Sequence, residues 1–79
     1  MPKQINIVAN WDPEAKVWVA ESEEIPLVTE AATVEALLAK LPGIIQDLLE
    51  DEAGGKELDV AFDFCARLTE SVHIRSRAA

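Results

Sequence analysis

The sequence predicts an α+β domain: an antiparallel sheet of four or five strands with one kinked helix packed on one face, in the order β-β-β-α-β. Three patterns carry that expectation. KQINIVANW and KVWVAES alternate polar and apolar residues with the period of two that a half-buried strand shows. Residues 33–51 space their apolar side chains as one face of a helix, and residues 57–66 return to alternation. The 79 residues are expected to make one domain, 1–79, without a separate DNA-binding domain, and they show no internal repeat. A chain this short buries only about 60% of its unfolded surface, so oligomerisation, as a homodimer or a higher homo-oligomer, is an expected supplement to its core.

In the first strand Ile5, Ile7, Ala9 and Trp11 share one face, and Gln4, Asn6, Val8 and Asn10 the other. Asp12-Pro13-Glu14-Ala15 reads as a turn, because proline has the φ required at its second position and Asp12 can bond the following backbone. The second strand, through Val17 and Val19, then closes a hairpin. A short third strand, Leu27 to Glu30, follows Pro26, which cannot donate to a ladder and marks an edge or a strand start. In the helix, Val34, Leu37, Leu38, Leu41, Ile45 and Leu48 form the stripe that needs a sheet to cover it. Thr33 is its expected N-cap, Glu35 suits the positive end of its dipole, and Gly54-Gly55 stop it. Pro42 removes one amide and disfavours helix at Leu41, so a kinked helix or two abutting ones are expected. The last strand puts Leu58, Val60, Phe62 and Phe64 on its most apolar face, and Ser71 to Arg75 alternate weakly enough to extend it or to pair beside it.

Charge is distributed unevenly. Residues 1–66 hold fourteen acids against four lysines, net −10, whereas residues 67–79 hold Arg67, Arg75 and Arg77 against Glu70, net +2. Such a body repels nucleic acid and attracts a basic protein, although an acidic surface also simply keeps a small domain soluble. No apolar run of eighteen residues and no signal peptide is present, so a soluble cytoplasmic protein that does not engage a membrane is expected. The single Cys65 closes no disulfide within the chain and reads as a buried structural thiol.

Catalysis is not expected. Trp11 to Pro26 packs five carboxylates into sixteen residues, but Asp12 and Glu14 lie at one end of the second strand and Glu23 and Glu24 past the other, about 23 Å away at 3.3 Å per residue. Only Asp63 could join Glu21, too few carboxylates for a metal-dependent nuclease. His73 has no orienting partner in the sequence, and no nucleophilic triad, glycine-rich phosphate loop or paired-cysteine motif occurs, so neither a cofactor nor a metal is implied. A protein-binding role fits better. If Ile5, Ile7, Val17 and Val19 face the helix, Trp18 and Val8 lie on the uncovered face of the sheet, with Trp18 as an interface anchor among Ala20, Ala61 and Cys65. Glu21, Glu23 and Glu24 then form the rim of a partner-binding surface. The opposite facing, with Trp18 in the core, stays open because both faces of the second strand carry apolar residues.

The stretch NWDPEAKVWVAESEEIPLVTEAATVEALLAKLPGIIQDLLE, between a first and a closing strand, resembles the HicB-like antitoxin domains. The likeness covers almost the whole chain: an acidic turn, a strand ending before a Pro-containing step, a short strand, and a Thr-capped helix with Glu in its first turn. It is most similar to a short stand-alone branch catalogued as a domain of unknown function. The resemblance implies a partial RNase H arrangement, an oligomer, and neutralisation of a small basic RNA-cleaving toxin of the HicA type by covering its active surface, the catalytic histidine belonging to the toxin. The family's usual Pro-Gly step and pre-helix glycine are replaced here by Pro26-Leu27 and Glu30-Ala31-Ala32, so a differently shaped loop is expected. No ribbon-helix-helix or helix-turn-helix segment follows Arg75, so direct DNA binding is not expected.

Overall fold

A computed structural model describes residues 3–77; Met1, Pro2, Ala78 and Ala79, the ends of the domain expected over 1–79, lie outside the described residues. The elements are β1 (Lys3–Asp12), β2 (Val17–Ser22), β3 (Val28–Ala31), α1 (Val34–Ala53) and β4 (Val60–Arg67). This is the expected α+β order, in one four-stranded sheet arranged β3-β2-β1-β4.

The sheet is mixed rather than wholly antiparallel. β1, β2 and β3 form an antiparallel meander, but β4 pairs parallel to β1, with Ile5 beside Phe62 and Ile7 beside Phe64. The connection dictates this. α1 carries the chain back over the sheet, so the strand after it runs in the same sense as β3 and therefore as β1. Residues 71–75, expected as an extension or a fifth strand, pair with no strand among the described residues.

The hairpin turn decides which residues enter the core. Asp12 Oδ1 accepts the amides of Glu14 (3.0 Å) and Ala15 (3.2 Å), and Asp12 O accepts the amide of Lys16 (2.8 Å). Lys16 takes a left-handed φ of 58°, which closes a four-residue loop and sets Asp12 opposite Val17. Odd residues of β1 are thereby matched with even residues of β2: Ala9 with Ala20, and Trp11 with Trp18. Directly opposed residues share a face, so Trp18 follows Ile5, Ile7 and Ala9 to the helix side. Val17, Val19 and Val8 occupy the other face.

The core comprises Ile5, Ile7, Ala9 and Ala20 from the sheet, Ile25 and Leu27 from the loop before β3, and Leu37, Leu41, Ile45 and Leu49 from the helix. α1 lies closest to β3 and β2, which leaves Val60, Phe62 and Phe64 of β4 half-buried. Thr33 caps the helix, its Oγ1 accepting the Ala36 amide at 3.0 Å, and Gly54 ends it at φ 59°, donating to Asp51 O at 3.2 Å. The positive φ is why glycine stands there.

α1 is one helix through Pro42-Gly43, in contrast to the two abutting pieces that the proline allowed. Both residues are exposed, and buried positions flank them at Leu37, Leu41, Ile45 and Leu49. A helix-interior proline costs about 3 kcal/mol, whereas each buried aliphatic side chain contributes about 1.5–3 kcal/mol, so the in-phase stripe outweighs the missing bond. The stripe is narrower than its spacing suggested. Leu38 and Leu48 are exposed and Leu49 is buried, because packing follows a row of residues four apart.

Candidate functional site

With α1 on one face, the opposite face of the sheet is open. It carries Val28 and Glu30 from β3, Val17, Val19 and Glu21 from β2, Asn6, Val8 and Asn10 from β1, and Ala61, Asp63 and Cys65 from β4. At the end of the β1–β2 ladder this face sinks into a depression of about 450 Å³ lined by Val8, Glu21, Glu23 and Glu24, with Asn6, Asn10 and Ser22 between them. Four of the five residues expected at a partner surface are thus brought together.

The fifth is not. Trp18 stands on the helix face, half-buried and packed against the core, with the Trp11 ring at a centroid distance of 5.5 Å and a tilt of 59°. The expectation that Trp18 and Val8 share the uncovered face is therefore corrected: the parity of the four-residue turn separates them. Cys65, read as a buried thiol, is exposed, because it lies on the open face of the sheet's edge strand.

The three rim acids differ in what holds them. Glu24 is a clasp: Oε1 accepts from the Asn6 amide (3.2 Å) and Asn6 Nδ2 (3.0 Å), while Oε2 accepts from Ser22 Oγ (3.0 Å). The backbone amide of Asn6, just beyond the last β1–β2 pair at Ile7 and Ser22, is satisfied by this carboxylate. The Ser22 hydroxyl, ahead of the smaller opposing effect of desolvation and with help from the Glu24 and Asn6 groups, holds the Glu24 carboxyl below its ordinary value of 4.5. Glu21 and Glu23 are exposed on either side of the clasp. The pattern Asn6…Ser22-x-Glu24 becomes visible once the hairpin register is known, which sequence spacing alone does not supply.

A depressed carboxyl pKa stabilises the folded state above the unfolded value and loses that contribution as pH falls through the folded value. Glu24→Gln is expected to lower stability at neutral pH and to flatten the acid limb of the stability profile below about pH 4.5. Urea unfolding of both proteins across that range checks it; superimposable profiles would remove the clasp from the account.

Other polar groups serve the fold. Gln4 Nε2 donates to Asp63 Oδ2 (2.6 Å) across the β1–β4 pair, and Lys40 Nζ donates to Glu30 O (2.7 Å) on edge strand β3. His73 is exposed. Among the described residues no three His, Cys, Asp or Glu side chains converge on a point where they could hold a metal ion, and no helix is long and apolar enough to cross a membrane.

No curated protein matches the sequence at a significant level. Among solved structures, the chain is similar to the crystal structure of the hypothetical protein TTHA1013 from the extremely thermophilic bacterium Thermus thermophilus. The two are 42% identical over 91% of this chain and 100% of that chain, with a TM-score of 0.64. Residues 4–76 match the family described as Domain of unknown function (DUF1902), and a match over nearly the whole chain shows that this protein belongs to that family.

Proposed function

We propose that the protein is an antitoxin-like binding module that acts in the cytoplasm, where its open, acidic sheet face occludes a small basic ribonuclease of the HicA type. The observation that carries the reading is the depression around Val8. Val8 is flanked there by Asn6, Asn10 and the exposed carboxylates of Glu21 and Glu23, beside the apolar side chains of Val17, Val19 and Val28 on the same open face, on a body of net charge −10 over residues 1–66. An open sheet face with valines beside an acidic depression offers both apolar contact and charge, and the sign of that charge selects a cationic partner. The resemblance to HicB-like domains supplies the class of that partner. It supplies no chemistry for this chain, whose part is to cover the toxin's active surface.

Glu21→Lys combined with Glu23→Lys is expected to slow association with such a toxin by about tenfold or more and to flatten its salt dependence, leaving the Glu24 clasp intact. Stopped-flow association at several ionic strengths reads this directly. The partner itself is sought by pull-down from source-cell lysate at low and moderate salt: a small basic protein whose RNA cleavage stops on binding supports the reading, and recovery of this chain alone counts against it. A second reading, a homo-oligomeric interaction module with no toxin, is favoured by one observation, the exposed apolar side chains of Val72 and Ile74.

A further inference from the structure

Of the described residues after β4, Leu68 to Glu70 line shallow grooves with Trp11, and residues 71–77 line neither of those grooves. Residues 68–77 are exposed throughout and carry Leu68, Val72 and Ile74 at 50%, 80% and 83% exposure. The molecule's long axis is 71 Å and its radius of gyration 17.5 Å, against roughly 12 Å for a compact chain of this length. Since the 20-residue helix accounts for only about 30 Å, the C-terminal segment projects as an arm.

Three features of the arm match one surface, the outer edge of β4. That edge is eight residues long and carries no proline, whereas the other edge strand, β3, has four residues and a lysine on one of its carbonyls. Continuing the alternation of β4 puts Leu68, Val72 and Ile74 on the side of Val60, Phe62 and Phe64, and Leu68 does line a groove with Trp11 and Trp18 on that side. Beyond Glu70 the arm carries Arg75 and Arg77, whereas the strand region up to Cys65 carries Glu57, Asp59 and Asp63.

We propose that two copies of this chain exchange arms, each arm adding as an antiparallel fifth strand to the β4 edge of the other about a two-fold axis at Leu68. In that register Val72 stands opposite the partner's Phe64 and Ile74 opposite the partner's Phe62. His73 then meets the partner's Asp63, and Arg77 the partner's Asp59. An axis at Arg67 would instead oppose two like charges, which is unfavourable. The exchange covers the half-buried phenylalanines that α1 leaves open, and it supplies from the second copy the extra strand that the alternation of residues 71–75 predicts. It is independent of the toxin reading, since it needs no other protein.

The register also sets Ser71 opposite the partner's Cys65, which makes the single cysteine a reporter. Full-length protein is expected to sediment as a dimer. Ser71→Cys, oxidised with diamide, is expected to run as a covalent dimer linked between positions 65 and 71, as mapped on peptides, while wild type with Cys65 alone does not cross-link. Val72→Asp with Ile74→Asp is expected to weaken the dimer at least about 100-fold. Both positions are exposed within one chain, so the helical circular dichroism should be unchanged. A monomer at all concentrations, a dimer that survives the double substitution, or a Ser71→Cys protein that stays uncross-linked each overturns the exchange.

Discussion

Leu41→Ala is expected to cost about 3 kcal/mol of folding stability, within the range measured for buried leucines when truncation leaves a cavity. Leu41 is fully buried, immediately precedes Pro42, and lies on the row with Leu37, Ile45 and Leu49 that holds α1 to the sheet. A 79-residue domain has roughly 4–12 kcal/mol in total, and a short chain sits toward the low end, so one truncation removes a large share. The position matters as much as the side chain. Helix through Pro42 is maintained against its lost bond by the flanking buried residues, and removing Leu41 weakens that support where the backbone is least able to replace it. Urea unfolding at unchanged m-value measures the loss. A change below about 1 kcal/mol would show that the stripe is not what keeps the helix continuous.

What can be read from the sequence divides along a physical line. Local signals set the elements: alternation for β1, β2 and β4, the Thr33 and Gly54 caps for α1, and Asp12-Pro13 for the turn all stand where their residue types predict. Relations between elements are less legible. The facing of Trp18 hinges on the parity of a loop closed by one left-handed residue, Lys16, and nothing in the residue type of a lysine announces a positive φ. The parallel sense of β4 follows from where the helix returns the chain, which is a property of the crossover rather than of any residue in the strand. The candidate surface is legible in part, since Val8 and the glutamates reach the open face through their own strand positions and the following loop. Placing Trp18 requires knowing which face of β2 is covered, and Val17 and Val19 make the wrong face equally apolar. Cys65 is misplaced for a related reason: its strand is an edge, and edge order is not written in a strand's composition.

Trp18→Ala is expected to destabilise the fold by about 2–3 kcal/mol, somewhat less than a fully buried tryptophan because its ring is half-exposed. Truncation removes apolar area packed on the core and one half of a tilted aromatic pair, and leaves Trp11 without its cross-strand neighbour. Trp11→Ala is expected to cost less, since Trp11 does not pack directly on the core cluster as Trp18 does. A spectroscopic signature separates the pair from mere burial: two indoles with centroids 5.5 Å apart should give an exciton couplet in circular dichroism, and either substitution should abolish it. The division of effects is the sharper test. If Trp18 serves the core, its loss appears in unfolding free energy, and association through the open face keeps the rate constant of wild type in whatever fraction remains folded. If stability is unchanged and association alone suffers, Trp18 is an interface anchor and the register of the hairpin must be other than Trp11 opposite Trp18.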